Sequence, residues 1–279
     1  MRQVAVCVVA AAVLVAVGDA NAAPKGNVKA PAGVAVDWTG FYAGVHGGYA
    51  NGDWDGQLRS TAGSPILPLS PADIYRGHQT LDADGWLGGL QFGYNKQLGK
   101  VVLGVEADVS WTGLDGKETN RQTFFGANPG ESISYDKTHK PELDYFGTLR
   151  GRVGYDFGGI LPFVTGGVAL GRARETLNVD VNSVGFVWAR GLETNEASGR
   201  AEEDHIGWTA GAGVEGKVGY GWSLKAEWLH VDLGSADYLF VGQHNIGPNA
   251  GQSFATDAFP ADLEFNVYRI GLNYQFTAE

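Results

Sequence analysis

Four carboxylates and four bases are the residues whose spacing invites chemistry: Glu106, Asp108, Glu215 and Glu227 against Arg150, Arg152, Lys225 and Arg269. Each falls on the polar phase of a segment in which apolar residues recur at every second position. Two carboxylates in one site can divide general-acid and general-base work, but the acid then needs a pKa raised toward neutrality. Counted inward from the nearest short turn, Glu106, Arg150 and Glu227 share one depth. Arg152, Glu215 and Lys225 lie slightly nearer the turns, and Asp108 and Arg269 slightly farther. A base at the same depth lowers a carboxylate pKa, the reverse of what an acid catalyst requires. The pattern predicts ion pairs that fill an interior, and no enzyme.

The other chemical motifs are weaker. The run GAGVEG at 211–216 satisfies the glycine spacing of a dinucleotide fingerprint, but it lies inside an alternating segment and opens no helix. Its glycines are expected to make room for large polar side chains of neighbouring strands. Asp53 with Asp55, and Asp82 with Asp84, lack the full spacing of a calcium loop and read as solvated charge. The six histidines are scattered singly, His78, His139 and His244 among them, and no pair has the i, i+4 spacing of a helical zinc site. No cofactor or metal is expected from the residues themselves.

The elements that must position these charges are strands. From Tyr268 onward, Tyr268, Ile270, Leu272, Tyr274 and Phe276 alternate with Arg269, Gly271, Asn273 and Gln275. One face is therefore apolar, with aromatic residues at both ends, Tyr268 and Tyr274 about 20 Å apart, which suits a lipid-facing band. The same period runs through 38–50, 85–95, 101–111, 143–155, 161–172, 205–217 and 222–233. With the last strand this makes eight, an even number.

The connectors decide between a soluble sandwich and a membrane barrel. Turns of four or five residues at 96–100, 156–160 and 218–221 alternate with long segments at 51–84, 112–142, 173–204 and 234–262. A compact soluble domain rarely gathers all its long connectors at one end. An up-and-down barrel does, with short periplasmic turns and long outer loops. The predicted fold is all-β: an eight-stranded antiparallel up-and-down transmembrane β-barrel with four long outer loops.

Six stretches carry a resemblance: WTGFYAGVHGGY at 38–49, GVEADVSW at 104–111, GTLRGRVGY at 147–155, LPFVTGGVALG at 161–171, KAEWLHVDLG at 225–234 and YRIGLNYQF at 268–276. Together they resemble the small eight-stranded outer-membrane β-barrels of alphaproteobacteria, a group that includes Brucella surface antigens and Bartonella haemin-binding proteins. The resemblance implies a structural protein of the Gram-negative outer membrane that displays its loops at the cell surface. It implies as partners outer-membrane lipid, lipopolysaccharide and the barrel assembly machinery. It also implies an alternative, a loop site for haem or a host ligand, for which His78, His139 and His244 are the candidate axial donors; a small diffusion pore is a further alternative. Members commonly end on an aromatic residue, whereas Thr277, Ala278 and Glu279 follow Phe276 here.

The ends of the chain fit export. Arg2, the apolar run 4–17 and the small residues Ala20 and Ala22 predict a signal peptide over 1–22, followed by a linker at 23–37 and the barrel domain at 38–279. The single cysteine, Cys7, lies inside the signal, so the mature chain is expected to hold no disulfide. A net charge of −11 gives no general attraction for nucleic acid.

Overall fold

A computed structural model describes residues 37–57, 78–116, 118–125, 128–184, 194–237, 240–246, 253–256 and 260–276. The expected signal peptide and all but the last residue of the expected linker lie outside them. The described residues form eleven strands: β1 Gly40–Gln57, β2 His78–Leu98, β3 Val101–Asp115, β4 Glu118–Phe125, β5 Ser132–Tyr155, β6 Ile160–Val184, β7 Thr194–Gly219, β8 Trp222–Asp237, β9 Phe240–Ile246, β10 Ser253–Thr256 and β11 Pro260–Gln275. Eight of these, β1, β2, β3, β5, β6, β7, β8 and β11, form a closed antiparallel ring. The seam is the β1–β11 ladder, which runs from Tyr42 opposite Gln275 to Gly56 opposite Ala261. Closure leaves the ring with no free edge.

Lipid contact explains the exposed apolar face. Val105, Leu149, Val164, Leu224 and Ile270 are all at least half exposed and point out of the wall. Above them Trp228, Tyr268, Tyr49 and Trp86 occupy one register row across β8, β11, β1 and β2, and Trp111 faces Tyr145 across β3 and β5. Below, Phe41 faces Tyr94 and Trp222 faces Tyr274. These rows are the two aromatic girdles of a membrane-spanning band.

The strands do not stop at the upper girdle. β5, β6 and β7 run for 24, 25 and 26 residues, where about 9 to 11 cross a bilayer. Much of what the sequence reads as long loops is therefore strand. Part of β1, β2, β5, β6 and β7 occupies it, and β4 on β5, β9 on β7 and β10 on β9 add further pairing. The physical reason is a change of face. On β11 the apolar residues from Tyr268 onward point outward, but Leu263, Phe265 and Val267 point inward and are at most 1% exposed. On β8 the change comes between Trp228 and Leu229. Above the bilayer water replaces lipid outside the wall, so apolar side chains move to the interior. There Leu114, Leu143, Phe146, Leu229, Val231 and Phe265 form an apolar core. Outside, Arg172 pairs with Asp204 at 2.8 Å, and Arg174 with Glu202 and Asp144 at 3.1 Å each.

At the short-turn end a smaller cluster of Trp38, Val102 and Leu161 closes the interior. The sequence reading begins the first strand at Trp38; the strand begins at Gly40, and Trp38 is packed inside instead.

Candidate functional site

Between the two apolar clusters lies the polar middle of the lumen. β3 supplies Glu106 and Asp108, β5 supplies Arg150 and Arg152, β7 supplies Glu215, β8 supplies Lys225 and Glu227, and β11 supplies Arg269. All eight side chains are at most 3% exposed. The structure brings them into a single network with four negative and four positive charges.

Arg150 is its centre. Its Nη1 donates to Glu227 Oε1 at 2.8 Å, its Nη2 to Asp108 Oδ2 at 2.9 Å and to Glu106, and its Nε to Thr148 Oγ1 at 2.9 Å. Arg269 donates from Nε to Glu227 Oε2 at 2.8 Å and from Nη2 to Asp108 Oδ2 at 3.1 Å. Lys225 Nζ donates to both oxygens of Glu106, at 2.9 and 2.8 Å. Arg152 Nη2 donates to Glu215 Oε2 at 2.7 Å, and its guanidinium lies 4.7 Å from the centroid of the Phe163 ring. These are charge-assisted bonds in a site removed from water, the setting in which they are strongest.

Neutral groups complete the carboxylates. Tyr42 Oη donates to Glu106 Oε2 at 2.7 Å, and Thr148 Oγ1 to Asp108 Oδ2 at 2.6 Å. Ser223 Oγ and Asn273 Nδ2 both donate to Glu215 Oε1, at 2.6 and 2.8 Å. His46 Nε2 lies 2.9 Å from Ser110 Oγ and 3.4 Å from Arg269 Nη1. Period-two reading puts Tyr42 and His46 on the polar face, but it gives no signal that Tyr42 reaches Glu106 across the lumen. Glycines admit these large groups. A Cβ at Gly104 would come within 2.9 Å of Arg152 Cγ, and one at Gly93 would collide with the Tyr42 ring.

The arrangement binds its own groups to one another. Each carboxylate accepts bonds from a base and from a neutral donor or a second base, so the network spends its hydrogen-bonding capacity on filling the interior. The run at 211–216 lies within β7, where Gly211 faces Leu229 and Gly213 faces Glu227 in the ladder. Among the described residues no group of three or more His, Cys, Asp or Glu is placed to hold a metal ion. His78 stands at the start of β2, His139 on β5 and His244 on β9, three strands that are not neighbours in the sheet. Their side chains lie outside the described residues, as do those of Asp53 and Asp55.

Comparison with known proteins agrees with this geometry. Residues 8–276 match the family model described as the outer membrane protein beta-barrel domain. The chain is similar to the 31 kDa outer-membrane immunogenic protein of Brucella melitensis, 30% identical over 256 residues that cover 89% of each chain. It is similar to that organism's 25 kDa outer-membrane immunogenic protein, 26% identical over 255 residues, 89% of this chain and 85% of the relative. It is also 30% identical to the 22 kDa outer membrane protein of Rhizobium leguminosarum over 211 residues, 75% of this chain and 71% of the relative. A closed ring with a girdled apolar band, a paired interior and a family match over nearly its whole length make the chain a member of the outer-membrane β-barrel domain family, resident in the outer membrane.

Proposed function

We propose that the protein is a structural stave of the outer membrane: a filled barrel that anchors an extended sheet outside the cell and conducts nothing. The observation that carries this reading is the eight-membered charge network, which ties β3, β5, β7, β8 and β11 together across the lumen. An eight-stranded ring has an interior only wide enough for side chains, and these side chains occupy it. The exposed apolar band supports embedding in outer-membrane lipid and lipopolysaccharide, with delivery by the barrel assembly machinery. Residues 1–22 direct export and are then removed, leaving Ala23 as the first residue of the mature chain. The strands that rise above the upper girdle support surface display, in keeping with relatives named as immunogenic.

Liposome swelling tests the reading. Vesicles loaded with the purified barrel should swell in small sugars no faster than empty vesicles. A swelling rate that rises with the amount of protein would replace the stave with a pore.

A further inference from the structure

The short-turn mouth of the barrel is closed by a residue that does not belong to its wall. Asp37, Trp38 and Thr39 precede β1 and take no part in its ladder, yet Trp38 is only 1% exposed and packs with Val102 and Leu161. Its backbone N–H donates to Gln97 Oε1 at 2.8 Å and its indole Nε1–H to Asp156 Oδ1 at 3.1 Å, while Lys217 Nζ stands 4.5 Å from the ring centroid. Gln97 lies at the end of β2, Asp156 follows β5 and Lys217 lies near the end of β7. One residue thus touches the closure of all three short hairpins.

A glycine aims it there. Gly40 has a φ of +143°, a conformation L side chains rarely adopt. A Cβ at this position would also meet Phe276 O at 3.0 Å and Gln275 Nε2 at 3.3 Å. The chain leaves the wall at Gly40 and bends into the mouth, where Gln275 Nε2 holds Thr39 O at 2.7 Å.

We propose that residues 37–39 form a stopper hinged at Gly40, with Trp38 as the bung that seals the lumen from the periplasm. This rests on the filled-barrel reading and adds a second seal, beneath the charge network and separate from it. No strand ladder holds the stopper, so it opens by losing the contacts of Trp38 and its flanking residues, without unzipping the ring.

A buried thiol reports on the seal. In the purified mature protein, which carries no other cysteine, a reporter Val102→Cys should react slowly with a water-soluble maleimide. Adding Gly40→Ala, which misdirects the stopper, or Trp38→Ala, which removes it, should speed labelling at least about tenfold, the ratio given by ~1.4 kcal/mol of lost holding free energy. Both variants should keep the gel mobility of the unboiled, folded barrel, and neither should make vesicles swell, because the charge network above the mouth is untouched. Swelling by the unaltered protein would instead count against the stave. Unchanged labelling with Gly40→Ala would overturn the hinge. Loss of folded mobility in either variant would overturn the proposal too, since a stopper is dispensable to a wall and a wall residue is not.

Discussion

Arg150 and Glu106 face one another in the β3–β5 register and bond inside the lumen, while Lys225 reaches the same carboxylate from β8 at 2.8 Å. Removing either partner alone unbalances the buried charges and leaves the groups it bonded short of a partner; for Arg150 these are Glu106, Asp108 and Glu227. Arg150→Ala should therefore destabilise the barrel by about 3 to 5 kcal/mol. The double variant Arg150→Leu with Glu106→Leu should cost clearly less than the two single changes together. Denaturant unfolding of the lipid-embedded barrel, followed by the gel mobility of unboiled samples, measures this. Strict additivity would show that the two side chains are not coupled.

The change of face at the upper girdle predicts opposite tolerances on one outer surface. Val105 is 56% exposed within the apolar band, and Val105→Arg should cost about 2 to 4 kcal/mol because it puts a charge in lipid. Glu264 points outward above Tyr268, and Glu264→Arg should change stability by less than about 0.5 kcal/mol. The same unfolding assay compares the two. Equal costs would mean that the bilayer extends past Tyr268.

The upper interior should behave like the core of a soluble protein. Phe146 is fully buried, and its ring meets that of Phe265 edge-on with centroids 5.2 Å apart. Phe146→Ala should cost about 3 to 5 kcal/mol, through lost burial and the cavity left behind. Its effect should add to that of Arg150→Ala if the apolar and charged layers are independent, which the double variant tests.

Asp156 makes the short-turn end sensitive to acid. Burial raises its pKa, but bonds from the Gly159 N–H, the Trp38 indole, the Gly158 N–H and Gln97 outweigh that and hold the carboxyl below its usual range. A carboxyl depressed by folding contributes stability that is fully present above its unfolded pKa of about 3.9 and is lost as pH falls through the folded value. The stability difference between the parent and Asp156→Asn should accordingly stay level above about pH 5 and shrink at lower pH. A difference that holds constant down to about pH 3 would mean the carboxylate charge plays no part.

Period two along single strands was enough to establish an all-β chain, and short turns alternating with long connectors were enough to make it a barrel. Matched depth put Glu106 and Arg150 together because both are counted from the short-turn end, which neighbouring strands share. These are local relations, and a one-dimensional pattern carries them. The fate of Leu263, Phe265 and Val267 was not local. Their alternation continues the strand, but their apolar face is opposite to that of Tyr268, and only the position of the bilayer decides which face of a strand is wet. The partners that reach Glu106 from strands other than its neighbour β5 were beyond reach for a similar reason. Tyr42, Lys225 and Arg269 approach it from β1, β8 and β11, at distances set by the width and closure of the ring. Trp38 shows the limit most plainly: the sequence made it the first residue of a strand, and a glycine two residues on, at a backbone angle that sequence does not display, turned it into the mouth.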